Sequence, residues 1–245
     1  MTKKNISDYI KSNQLDKLIN FKQVKGDKRD PFAPETEDLI RLHQLIRQRK
    51  SMTVLEFGVG YSTLVIADAL EKNKADWSRL KPKPEIRNRY LFKLFSVDAS
   101  KKWLEYTRKQ LPKKLSRLVS FHYSSVSIGT YQDQLCHYYD NLPDVIPDFI
   151  YLDAPDPKDV KGKIKGLSFK CDERTVMAGD LLLMESTFLP GTMILIDGRT
   201  NNARFLKNNF KRKYKYSWDK IGDVSTFELV EERLGKYNVL GQDFY

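Results

Sequence analysis

Short apolar runs recur along the chain with room for a helix between them, and this alternation restricts the fold more than any other feature. The runs are TVLEF (53–57), LFSVD (94–98), LVSFHY (118–123), DFIYLD (148–153) and PGTMILID (190–197). Helical patterns occupy 61–72, 101–111 and about 173–187, and another follows the last run at 199–210. Strands alternating with helices build parallel sheets, because a parallel crossover consumes a dozen or more residues. YKYSWD (214–219) and VSTFELV (224–230) break the rhythm, since only KIGD separates them. That pair must be an antiparallel hairpin. The sequence thus predicts an α/β protein whose mostly parallel seven-stranded sheet ends in a reversed hairpin.

Upstream, residues 5–20 and 36–49 read as two helices, the second from Leu39, Leu42, Leu45 and Ile46 at helical spacing. KGDKRDPFAP (25–34) between them is a loop by its Gly, Asp and Pro content. Residues 1–50 form an N-terminal helical extension, and 51–245 form the main domain. Within the latter, 73–92 is a polar, basic, Pro-containing insertion and 154–172 a loop rich in Pro and Lys.

The N-terminus lacks the apolar stretch of a signal peptide, and no stretch approaches the length of a membrane span. Cys136 and Cys171 have no metal-ligand spacing and read as reduced thiols of a cytoplasmic protein. A formal charge of +11 favours acidic partners, whether a phosphorylated metabolite or nucleic acid, and equally describes a solvated basic surface.

The first strand runs into LEFGVGYST (55–63), with Gly58 and Gly60 between strand and helix. A glycine there permits positive φ and lets a ligand touch backbone N–H groups. The next strand ends in Asp98, placed to accept hydrogen bonds from both hydroxyls of a ribose, or to cap the helix that follows Ala99 and Ser100. A dinucleotide fingerprint is not met: position 63 is Thr, and Asp98 lies well beyond about 20 residues from the loop. Glu56, near the end of the first strand, would repel a pyrophosphate and attract an ammonium group.

These pieces resemble the class I S-adenosylmethionine-dependent methyltransferases. VLEFGVG (54–60) matches their E/D-x-G-x-G, SVD (96–98) their second acidic strand end, DFIYLD their fourth strand and LPGTMILID (189–197) their fifth. The resemblance runs from about 52 to 230 and implies a Rossmann-like fold with S-adenosylmethionine as cofactor. By that resemblance Gly58 and Gly60 admit the methionine part, Glu56 binds its ammonium, and Ser62 and Thr63 reach its carboxylate. Asp98, with Ala99 beside it, holds the ribose. Ser124 and Ser125 stand where the family often has an adenine-contacting Asp.

Methyl transfer requires an aligned acceptor and often a base. Asp153 and Asp156 flank Pro155 at the end of the fourth strand, beside the expected methyl position. Either would serve as base, bind the methionine ammonium, or cap the loop. DAPD (153–156) lacks the second proline and the aromatic residue of the amine-methylating motif, which argues against nucleobase methylation. A small-molecule O-methyltransferase fits better. Some such enzymes bind Mg²⁺ through Asp153- and Asp197-like positions followed by Asn. Gly198 stands in place of that Asn, so the set is incomplete and weighs against a metal.

IDGRTNNARFLKNNF (196–210) is similar to sugar O-methyltransferases of surface-polysaccharide pathways. On that likeness Asp197, Arg199 and Asn201 contact the acceptor, with Arg199 and Arg204 facing an anionic group. Of the histidines His43, His122 and His137, only His122 ends a strand at the cleft, as a catalytic candidate. The rival expectation is a nucleic-acid methyltransferase or binder, using basic residues of 72–93 and 207–215 interleaved with Phe and Tyr. The N-terminal helices either cover the acceptor or mate with a second subunit.

Overall fold

The structure, a computed structural model, describes residues 3–19 and 35–245. The loop expected at 25–34 lies outside the described residues, as does residue 20 at the end of the first expected helix.

The expected sheet is present. β1 (Thr53–Phe57), β2 (Lys93–Asp98), β3 (Val119–Tyr123), β6 (Phe149–Leu152) and β8 (Met193–Asp197) are parallel. β10 (Val224–Leu229) runs antiparallel to both β8 and β9 (Tyr214–Asp219). The order is β3-β2-β1-β6-β8-β10-β9. The chain leaves β1 toward β2 on one side and returns through β6 on the other, so the topological switch point lies between β1 and β6. Open α/β sheets bind ligands there, outside the carboxyl ends of the strands.

Two apolar layers sandwich the sheet. Val54, Leu94, Phe149 and Leu195 pack on one face with α3 (Thr36–Gln48) and α4 (Tyr61–Ser78). Ile6 of α1 (Lys3–Asn13) and Leu18 of α2 (Asp16–Ile19) join this core. A buried polar tie reinforces it: Tyr9 Oη meets His43 Nδ1 at 2.7 Å, and His43 Nε2 meets Asp68 Oδ2 at 3.1 Å. On the other face Leu55, Phe57, Ile150 and Ile196 pack against α7 (Gly179–Met184) and α8 (Thr200–Asn209). α5 (Lys101–Gln110) and α6 (Lys113–Ser116) connect β2 to β3. Among the described residues, no helix is long and apolar enough to cross a membrane.

Three regions differ from the sequence expectations. α4 runs on to Ser78, taking in the start of the basic insertion so that Trp77 can meet Phe92 and Met52. Residues 126–139 hold a hairpin, β4 (Val126–Tyr131) and β5 (Gln134–Tyr139), which pairs with the short β7 (Val160–Lys161) in a second sheet. The helix expected at 173–187 spans only 179–184, followed by a 3₁₀ turn at 185–187. The segment before it is drawn out along β5, where His137 N donates to Met177 O at 2.8 Å.

Candidate functional site

The sheet register builds the site. Phe57 pairs with Val97 and Leu152, and Leu152 with Ile196. The next residue on each strand is therefore Gly58, Asp98, Asp153 or Asp197, and these four form one row at the carboxyl edge. Adjacent strands lie about 4.8 Å apart, so the row brings a glycine and three carboxylates side by side.

The two loop glycines do different things. Gly58 has φ +97°, and a Cβ there would lie 2.9 Å from Ala154 Cβ and 3.3 Å from the Asp153 carbonyl carbon. The 153–154 backbone is what comes so close to the loop that a side chain cannot fit. Gly60 is extended (φ 171°), and a Cβ on it would meet nothing within 4 Å. It opens onto free space.

Behind the loop lies a closed hydrogen-bond network. Glu56 is fully buried. Its Oε1 accepts from Ser62 Oγ at 2.6 Å, and its Oε2 from Thr63 Oγ1 at 2.7 Å and Ser96 Oγ at 2.6 Å. Thr63 Oγ1 in turn accepts from Gly60 N at 3.1 Å. Burial raises the Glu56 pKa to about 7, with the three hydroxyls opposing the rise. The Ser62 and Thr63 protons point at Glu56, so these hydroxyls face any ligand through their lone pairs. Asp98 Oδ2 accepts from Val59 N at 2.9 Å and Oδ1 from Ser100 N at 2.6 Å. Ser100, not Asp98, caps α5, accepting from Trp103 N. Burial lifts Asp98 to about 6 against those two N–H bonds. Ala99 packs against the core beneath.

At the other end of the row, Arg199 holds the 153–155 turn. Its Nε donates to Asp153 Oδ1 at 3.3 Å, one terminal nitrogen to Pro155 O at 3.1 Å and the other to Asp153 O at 2.5 Å. Much of the guanidinium expected to meet an anionic acceptor is thus committed to this turn. The Asp153 side chain remains 54% accessible. Partial burial raises its pKa and Arg199 opposes the rise. Asp156 is exposed and accepts from Lys158 N at 2.9 Å, capping the turn after Pro155. Asp197 Oδ2 accepts from the buried Tyr151 Oη at 2.8 Å. Asp38, on α3, is lifted to about 6, first by burial and then by the Asp197 charge. α3 of the N-terminal extension thus lies close enough to Asp197 for the two carboxylates to interact.

Other candidates lie apart. Asn201 is exposed on α8, while Asn202 is buried with its Oδ1 accepting from Ala178 N at 2.9 Å. Ser124 Oγ donates to Ser125 O and accepts from Asn141 N, and Ser125 Oγ donates to Asp140 Oδ2, so both serines tie β3 to the end of β5. His122 packs its ring 5.8 Å from Phe95. It sits on β3, three strand positions or roughly 14 Å from β6, and so is not brought together with Asp153. It stands one register position before Tyr123, the strand partner of Asp98. His137 lies on the same face of β5 as Tyr139, whose ring packs 5.4 Å from Phe57. In the sequence no turn signature marks the strand that carries His137. The aromatic residues of 207–215 do not form an exposed stacking platform either: Phe210 and Tyr214 stack at 4.4 Å against the core. Among the described residues, no group of three or more His, Cys, Asp or Glu could hold a metal ion.

No family model and no curated protein matches the chain. Solved structures do. The chain is similar to the SAH-bound methyltransferase PaMTH1 of Podospora anserina at 13% identity and TM-score 0.50, covering 94% of this chain and 89% of that one. It is also similar to the O-methyltransferase TomG of Streptomyces achromogenes in complex with SAM, at 16% identity and TM-score 0.45, covering 95% and 92%. An O-methyltransferase of Bacillus cereus in complex with SAH matches at 16% identity and TM-score 0.45, covering 94% and 92%. At such identities the likeness speaks to architecture. The chain has the class I S-adenosylmethionine-dependent methyltransferase fold.

Proposed function

We propose that the protein transfers the methyl group of S-adenosylmethionine to a hydroxyl of a small acceptor. The observation that carries this reading is the open side of Gly60, set between the carboxylates of Glu56 and Asp98. That space is where a Cβ would intrude on a ligand, and the charges around it suit a cation and repel a pyrophosphate. The residues present therefore fit the donor.

Bound there, S-adenosylmethionine would supply an electrophilic methyl group. The rest falls to the chain. Asp98 has lone pairs left after its two N–H bonds and accepts from the ribose hydroxyls. Ser62 accepts from the ammonium, with the Glu56 charge behind it. The N-terminus of α4, an 18-residue helix, attracts the carboxylate by its dipole. Asp153 ends β6 beside the reacting centre, with Arg199 holding its turn, and takes up or orients the acceptor's proton. A sugar-like acceptor is the narrower reading, resting on the 196–210 stretch.

Calorimetric titration with S-adenosylmethionine and with NAD tests the donor. Binding of the first and not the second is expected. The reverse would replace this function with a dinucleotide-dependent one.

A further inference from the structure

Beside the Asp153 turn, β5, α7 and α8 bring four polar side chains into the interior. His137 and Asp180 are at most 1% exposed, Tyr139 is 5% and Asn202 1%. Backbone bonds interlock them. Asp180 Oδ1 accepts from Tyr139 N at 3.0 Å, Ala178 is the register partner of His137, and the Ala178 N–H is held by Asn202 Oδ1 at 2.9 Å. Yet His137 Nδ1 and Nε2, Tyr139 Oη, Asp180 Oδ2 and Asn202 Nδ2 have no hydrogen-bond partner among the described residues. His137 Nε2 and Asp180 Oδ2 stand 4.0 Å apart, too far for a direct bond.

Buried polar atoms are normally paired, and a group of them left open in one place calls for an occupant. We propose that His137, Tyr139, Asp180 and Asn202 form a binding site for an uncharged hydroxyl group, that of the methyl acceptor. This deepens the methyltransferase reading and rests on it. The choice of a hydroxyl follows from the atoms. Asn202 Nδ2 only donates, a carboxylate oxygen only accepts, and His137 and Tyr139 do either. A hydroxyl gives one hydrogen bond and takes two, so it satisfies both kinds. An ammonium, donating only, would leave Asn202 unpaired, and a phosphate, accepting only, would leave Asp180 unpaired. Burial also lowers His137 to about 3 and raises Asp180 to about 7. Above about pH 7 Asp180 is thus an acceptor-only carboxylate beside a neutral imidazole. The location suits the role, because Tyr139 packs on Phe57, the residue before the glycine loop.

The test is a crystal structure of the full chain with S-adenosylhomocysteine, soaked in glycerol as the hydroxyl probe. A glycerol oxygen within hydrogen-bond reach of both His137 and Asp180 is expected; a water alone there, with glycerol excluded, would make the cluster a structural water site and overturn the proposal. If the four side chains instead pair with one another and enclose no oxygen, the proposal is overturned. His137→Leu gives a second reading. A site kept open for a ligand predicts an unchanged or raised Tm, with S-adenosylhomocysteine affinity within about twofold of the wild type. A lowered Tm or failure to fold would make the cluster structural and refute the site. Loss of donor binding in the wild type would sink the methyltransferase reading while leaving the oxygen in the cluster to be judged on its own.

Discussion

The glycine-loop region at the carboxyl edge of the main sheet and the interior cluster between β5, α7 and α8 treat buried polar atoms in opposite ways. On the donor side, Glu56 is wholly buried yet both oxygens accept hydroxyl hydrogen bonds, and Asp98 holds Val59 N and Ser100 N. On the acceptor side, His137, Tyr139, Asp180 and Asn202 each leave at least one buried atom without a partner among the described residues. The first half is complete without a ligand and holds its shape in advance, which lowers the ordering cost of binding. The second is completed only by an occupant.

Substitutions can break this contrast, the largest effect coming at Gly58. Gly58→Ala forces a side chain into a left-handed position 2.9 Å from Ala154 Cβ. A loss of about 3 kcal/mol in urea unfolding is expected. An unaltered midpoint would show that the 153–154 turn yields easily.

Next comes Glu56. Its folded pKa of about 7 lies above the ordinary value of 4.5 for an exposed glutamate, so its stabilising contribution is full below about pH 4.5 and is lost as pH rises through about 7. The difference corresponds to about 3 kcal/mol. Glu56→Gln should flatten the wild-type decline in unfolding free energy between pH 5 and 8. Parallel curves for the two proteins would contradict the buried, protonatable carboxyl.

Smaller effects fall on affinity. Asp98→Ala should weaken S-adenosylhomocysteine binding by a factor on the order of ten or more, through lost hydrogen bonds to a charged group. Gly60→Ala should weaken binding comparably while leaving stability within about 0.5 kcal/mol, since its Cβ meets no protein atom. If Gly60→Ala instead lowers the unfolding free energy by several kcal/mol while the folded protein binds with unchanged affinity, the two glycines have been assigned the wrong way round.

The donor half was legible in the sequence because its signals are local. An apolar run, two glycines and a strand-ending acid announce themselves within a few residues, and the reversed hairpin follows from the four residues KIGD. The acceptor half was not. β4 and β5 join through Gln132 and Asp133, both at positive φ (48° and 61°), where Asn-Gly would have marked the turn. Without that hairpin nothing brings His137 toward Phe57, or explains why the chain at 173–178 stays extended instead of helical. Asp38 was equally hidden, since its link to Asp197 is purely tertiary. Likewise Arg199 reads as a ligand-facing cation in sequence, and only three-dimensional contact shows it bracing Asp153 and Pro155.

The most direct test of the central claim is a crystal structure of the full chain with S-adenosylhomocysteine. The account predicts its ribose hydroxyls on the Asp98 carboxylate and its amino-acid end over the open face of Gly60. Ligand density elsewhere, with that crevice filled by solvent, would contradict it.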